Sequence, residues 1–141
     1  MHLLHLAIFP DAILSMMLDL TDHATPHRDQ ALTEMWENYR GWCESLGVAD
    51  RARRKLFSSK TLRPNHKEYR TISQKILSAS AARYLMMWMK AYVVSLLNAE
   101  PESLFLQCLG SLSILCCALC CVFLCALWEN QTNADNKRIY G

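Results

Sequence analysis

Residues 25–47 read TPHRDQALTEMWENYRGWCESLG, and this stretch decides the fold class. Its apolar side chains Leu32, Met35, Trp36, Tyr39, Trp42, Cys43 and Leu46 recur at steps of three and four, the spacing of one helix face. Glu34, Glu37, Asn38 and Glu44 fall mostly elsewhere and stay in water. Thr25 suits the capping position, since its hydroxyl can accept a free backbone N–H. Pro26 suits the first helical position, where a missing N–H costs nothing. Gly47 supplies the stop, because it enters the left-handed region without a Cβ penalty. The pattern predicts a helix over about 26–46 whose aromatic stripe faces a core. Trp36 and Trp42 are expected to hold that core together and to bind no ligand. Cys43 lies on the same face and reads as core, since no local motif pairs it with a base.

Working outward, further helices are expected on both sides. Pro10 and Asp11 open a short one, about 10–21, carrying Ile13, Leu14, Met16, Met17, Leu18 and Leu20. Residues 49–57 read as a basic helix buried at Ala52, Leu56 and Phe57, and 58–66 as a connection broken by Pro64. A long helical pattern then runs over about 67–98, with Ser78-Ala79-Ser80 as its weak point. Its second half, from Tyr84 to Leu97, is apolar nearly all round apart from Lys90 and Ser95, so it needs cover on most sides. Sustained two-residue alternation is missing, and the fold class expected is all-α: a three- to four-helix bundle over 1–100.

After Glu100-Pro101-Glu102 the composition changes. From Ser103 to Trp128, 26 consecutive residues carry no charge, and six of the seven cysteines lie there. Leu104 to Leu127 contains eight Leu together with Phe105, Ile114, Val122 and Phe123. As a helix those 24 residues would span roughly 36 Å, against a hydrocarbon core of about 30 Å. Trp128 suits the lipid–water boundary and Glu129 the exit. The expectation is one transmembrane helix over 103–128 and a short polar tail over 129–141, the arrangement of a tail-anchored, single-pass membrane protein. The opening residues lack a basic n-region and a cleavage site, so the N-terminal domain is expected in the cytosol. Local charge does not orient the span: Lys90 precedes it, while Lys137 and Arg138 follow.

The cysteines imitate chemistry without supporting it. Cys116-Cys117 and Cys120-Cys121 have the wrong spacing for zinc, and four thiolates in hydrocarbon would be very costly. Ser113, Cys117, Cys121 and Cys125 instead form a small-residue stripe at four-residue spacing, suited to close helix packing and to self-association in the membrane. His23 and His27 are four apart, but Pro26 spoils the shared face and no third ligand is near. Asn130-Gln131-Thr132 matches a glycosylation sequon two residues from Trp128, and is taken as chance. With no nucleophile, base and acid to assemble, neither catalysis nor a cofactor is expected.

The net charge of +2 hides a segregation. Residues 1–50 carry a net of −6, residues 51–75 a net of +8, and the remainder balances. Arg51, Arg53, Arg54, Lys55, Lys60, Arg63, Lys67 and Arg70 form a candidate surface for an anionic partner. Nucleic acid is one such partner, with Phe57 or Tyr69 for stacking, and an anionic membrane face is another. The plainer expectation is a solvated face partly paired with the acids of 1–50, on which Arg53, Arg54 and Lys55 act mainly as surface charge. The leading functional expectation is a membrane-anchored interaction module whose partner is the bilayer. Nucleic-acid binding through 51–75 is the alternative.

Four segments carry a resemblance as well: LTEMWENYRGWC at 32–43, KLFS at 55–58, LRP at 62–64 and SQKILSASAARYL at 73–85. In these the stretch from about Ile8 to Leu97 resembles an uncharacterised, repeated helical family abundant in dinoflagellate genomes. The resemblance implies aromatic helix-packing positions. It brings no activity, cofactor or catalytic residue, and it leaves out the cysteine-rich run after Pro101.

Overall fold

The computed structural model describes residues 9–24, 27–63, 75–116 and 118–119, with the backbone alone at 9, 23 and 24. Among these residues every regular element is helical and there is no strand. The order is α1 (Phe9–Ala24), α2 (Arg28–Ser45), a 3-10 turn at Arg54–Leu56, α3 (Ser59–Leu62) and α4 (Ala79–Ala99). A fifth helix, α5, runs from 104 and is continuous to 116.

The short apolar helix α1 is the centre of the molecule. Ile13, Leu14, Met16, Met17, Leu18 and Leu20 are all buried, and among the described side chains the polar line Asp11, Ser15, Asp19, Asp22 reaches toward water. Those four polar positions are spaced by four, four and three, a narrow stripe that leaves most of the helix circumference to be covered. α4 and α2 supply that cover. Thr21, also buried, returns its hydroxyl to the Leu18 carbonyl at 3.0 Å.

Helix α2 buries Leu32, Met35, Tyr39 and Cys43 of the predicted stripe, with Ala31 beside them, while Leu46 is exposed, because the chain has already left the helix there. It starts at Arg28 rather than Pro26, with His27 at the cap and no side-chain cap bond. Thr25 and Pro26 themselves lie outside the described residues. Its end is as the sequence implies. Gly47 stands at φ +65°, its N–H bonds the Glu44 carbonyl at 3.3 Å, and the Val48 N–H reaches the Cys43 carbonyl at 2.9 Å. These two bonds satisfy carbonyls that the helix leaves open, and they turn the chain back across the core.

Two predicted helices are corrected. Residues 49–57 do not form a helix: the Ala52 N–H is taken by the Tyr39 hydroxyl at 3.0 Å, and only Arg54–Leu56 coils, as a 3-10 turn. The expected burial of Ala52, Leu56 and Phe57 does hold. Within the expected connection, Ser59–Leu62 is a single helical turn, whose opening Ser59 N–H donates to the Asp29 carboxylate at 3.2 Å. The pattern over 67–98 is likewise not one helix, because residues 75–77 turn and α4 begins only at Ala79. Ser78 is its cap: the hydroxyl accepts the Ala81 N–H at 3.1 Å and donates to Asp50 at 3.2 Å. Residues 67–74 are outside the described residues.

The core does not end at residue 100. Leu106, Leu109 and Cys116 of α5 join the same buried cluster as α1, α2 and α4. Ser103 and Pro101 set the start of α5, through a Leu106 N–H to Ser103 hydroxyl contact at 3.4 Å and a Gln107 side-chain bond to the Pro101 carbonyl at 2.8 Å. A methyl placed on Gly110 would lie 3.7 Å from Leu97 Cδ2 and 3.9 Å from Val93 Cγ1, so α5 lies along that part of α4. These are ordinary contact distances. Gly110→Ala is therefore expected to stabilise the fold by about 1 kcal/mol, by helix propensity together with contact. A rise in the thermal midpoint checks this, and a fall would mean that α5 does not sit on α4 in this register.

No helix among the described residues is long and apolar enough to cross a membrane. Of the expected span over 103–128, residues 117 and 120–128 lie outside the described residues, as does the tail with its sequon.

Candidate functional site

Three features could carry function: the aromatic centre, the basic turn after α2, and the outer face of α5.

The aromatic centre is structural. Tyr39 and Trp88 are 0% and 1% exposed, and their rings meet edge-on at 5.3 Å between centroids. Phe57 stacks on Tyr39 at 5.6 Å, Tyr92 stacks on Trp88 at 5.0 Å, and Trp36 meets Phe57 edge-on at 5.3 Å. Each buried polar end has a partner, since Trp88 Nε1 donates to Asn38 Oδ1 at 2.8 Å and the Tyr39 oxygen accepts from Ala52. Trp36 and Trp42, expected at the centre, are half-buried against its margin instead. Asn38, read as a wet position, is exposed yet anchors the indole.

Burial pushes the Tyr39 phenol well above its ordinary range, and it raises Tyr92 too, helped there by Glu34. The folded state therefore keeps protons that the unfolded chain releases near pH 10. The stabilisation is present in full below that pH and is lost as pH climbs toward the raised folded values. Unfolding is expected to set in above about pH 10, with Tyr39 and Tyr92 ionising only as helix signal is lost. Tyr39→Phe should remove its share of this alkaline loss. At neutral pH the variant costs about 1–3 kcal/mol, because the Ala52 N–H is left buried without an acceptor. Ionisation of every tyrosine with the helix signal intact would contradict this reading.

The basic segment divides into paired and unpaired cations. Arg63 reaches Asp22 at 3.8 Å and Arg51 reaches Glu44 at 3.7 Å, both joining the basic segment to acids of the first fifty residues as the charge segregation implied. Asp22 also holds Arg28. Arg53, Arg54, Lys55 and Lys60 are exposed, and no ion pair among the described residues includes them. The nearby acids are otherwise engaged. Asp50 holds Ser78, and Asp29 holds Ser59, whose hydroxyl and backbone N–H lower its pKa, with Arg28 and Lys60 assisting. Arg53, Arg54 and Lys55 thus project from a turn fixed underneath by buried Ala52, Leu56 and Phe57. Phe57 is only 6% exposed, so it offers no open ring for stacking a base. Lys67, Tyr69 and Arg70 lie outside the described residues.

Family models, curated proteins and solved structures were compared with the chain, and none matches. The resemblance seen over residues 8–97 receives no support from them.

The third feature is the outer face of α5. Its inner face, Leu106, Leu109, Gly110, Ser113 and Cys116, is buried. Its outer face carries Leu104, Leu112, Ile114, Leu115 and Leu119, with Leu104 75% and Leu115 58% exposed. Of the expected small-residue stripe, Ser113 is fully buried, with its hydroxyl turned back to the Gly110 carbonyl at 2.9 Å. The side chains of Cys117, Cys121 and Cys125 lie outside the described residues. Cys43 is buried in the core and Cys108 is exposed. No group of three His, Cys, Asp or Glu among the described residues is placed to hold a metal ion. His27 caps α2, and the side chain of His23 is not among those described.

Proposed function

We propose that the chain is a membrane-anchored helical interaction module without catalytic chemistry, held in the bilayer by residues 103–128 as one helix. The observation that supports this reading is the outer face of α5, where five large apolar side chains stand in water within a run of 26 uncharged residues. Soluble proteins scatter single apolar residues over their surfaces, whereas five on one side of a helix, among exposed Gln107, Cys108 and Ser111, call for an occupant. Lipid suits this face because the run continues without charge to Trp128. Twelve large apolar residues at about 0.3–0.6 kcal/mol each near the bilayer centre favour insertion by at most roughly 4–7 kcal/mol in total, less toward the ends and less for Leu106 and Leu109, which the bundle already buries. Insertion exchanges the packing of Leu106, Leu109 and Cys116 in the bundle core for lipid or for a second helix. After alkaline carbonate washing of membranes that contain the full chain, retention in the pellet is the expected result. Quantitative release would overturn the anchor.

Nucleic-acid binding is the second reading, and it rests on the unpaired, exposed cations Arg53, Arg54, Lys55 and Lys60. Phosphates could be neutralised there, with affinity falling steeply as salt rises. The burial of Phe57 weighs against single-stranded targets. The 3-10 turn and α3, at three and four residues, are short for a helix that reads a groove.

A further inference from the structure

We infer that the turn Arg53-Arg54-Lys55 docks on the anionic headgroup surface of the bilayer, fixing how the helical bundle sits on the membrane. The inference rests on the anchor proposed above and adds a second, electrostatic contact to it. Three observations carry it. The first is charge without a carboxylate partner among the described residues: of the six bases in residues 51–63, Arg51 and Arg63 pair with Glu44 and Asp22, while Arg53, Arg54 and Lys55 pair with none, and Asp50 and Asp29 are engaged by Ser78 and Ser59.

The second is rigidity. Ala52 is tied to Tyr39, and the Leu56 and Phe57 N–H groups bond back to Arg53 and Arg54 at 2.9 Å. Leu56 and Phe57 are sunk into the core beneath the exposed cations. Three long cationic side chains therefore leave one fixed turn in water. Binding them costs side-chain freedom but no backbone ordering.

The third is the chemistry on offer. Adjacent cations with Phe57 buried beneath them, and with no groove-sized helix of their own among the described residues, recognise phosphate and carboxylate charge at a surface, not base edges. Anionic headgroups present that charge as a sheet, and a chain already tethered to the sheet meets it at high effective concentration.

At about 1 kcal/mol per cation, three cations raise partition onto an anionic surface by about a hundredfold at low salt. The effect should shrink as ionic strength shortens the screening length. The experiment titrates the purified full chain with vesicles of phosphatidylcholine alone and with phosphatidylserine added, comparing the native sequence with an R53Q/R54Q/K55Q variant. The three side chains are exposed, so circular dichroism of the variant should be unchanged.

Equal binding of both proteins to neutral vesicles, with a salt-sensitive phosphatidylserine increment of about a hundredfold in the native chain only, is the expected result. A chain that ignores neutral vesicles overturns the anchor. An increment that is absent, or equal in both proteins, overturns the role of the turn. A salt-dependent shift of duplex or single-stranded nucleic acid, lost in the variant and unaccompanied by any phosphatidylserine increment, would overturn it in favour of nucleic acid.

Discussion

A chain carrying Leu115→Arg and Leu119→Arg is expected in the supernatant after alkaline carbonate extraction, where the native chain stays in the pellet. Each arginine near the bilayer centre costs about 2.5–3.5 kcal/mol, and each lost leucine removes a few tenths more. The total, ~6 kcal/mol or more, matches or exceeds the gain available to the whole uncharged run. Both leucines are exposed, so the bundle itself should tolerate the change. Its far-ultraviolet spectrum in solution should stay helical, which separates loss of insertion from loss of fold. Continued resistance to extraction would mean that protein contacts, not lipid, hold the chain in the pellet.

The second large effect lies in the core. Trp88→Ala should cost about 3–5 kcal/mol, a substantial part of the 5–15 kcal/mol typical of whole domains. The indole is nearly inaccessible, touches Tyr39, Phe57 and Tyr92, and hands its N–H to Asn38. Truncation empties the place where α2, α4 and the 51–57 segment meet. Thermal unfolding of the full chain should broaden or shift downward by well over 10 °C, given roughly 4–8 °C per kcal/mol for a small domain. Trp88→Phe, which keeps a ring but drops the hydrogen bond, should fall between the two. A Trp88→Ala melting curve that overlays the native one would remove the indole from the core. Trp36→Ala should cost less, because Trp36 stands half-open at the margin of the cluster.

Near-neighbour patterns in the chain announce much of this molecule. A helical step of three and four names Leu32, Met35, Tyr39 and Cys43 as buried but also the exposed Leu46, and Gly47 marks the end of α2, because spacing and stop are properties of adjacent turns of one helix. α1 is legible in the same way from its apolar run, although its central place is not. The unpaired cations of the candidate site are visible as a basic run, yet nothing local says which of them find acids. Arg63 pairs across 41 positions to Asp22, while Arg53, Arg54 and Lys55 meet no carboxylate among the described residues. That division is a matter of where chain segments come to lie.

The sequence by itself determined that the described residues are helical, that Leu32, Met35, Tyr39, Cys43 and the apolar residues of α1 face inward, and that one uncharged run stands apart from a charged remainder. Periodicity and composition are enough for those, since each depends on a single segment and on water. The tertiary structure alone decided the rest. Tyr39 reaches thirteen residues onward to take the Ala52 N–H and hold 49–57 out of a helix. Asp29 opens α3 from thirty residues away, and Asp50 steadies the Ser78 cap from twenty-eight. Local propensity is a matter of tenths of a kcal/mol per residue. A buried N–H left unpaired costs one or more, so these long-range partners overrule the local pattern wherever the two disagree.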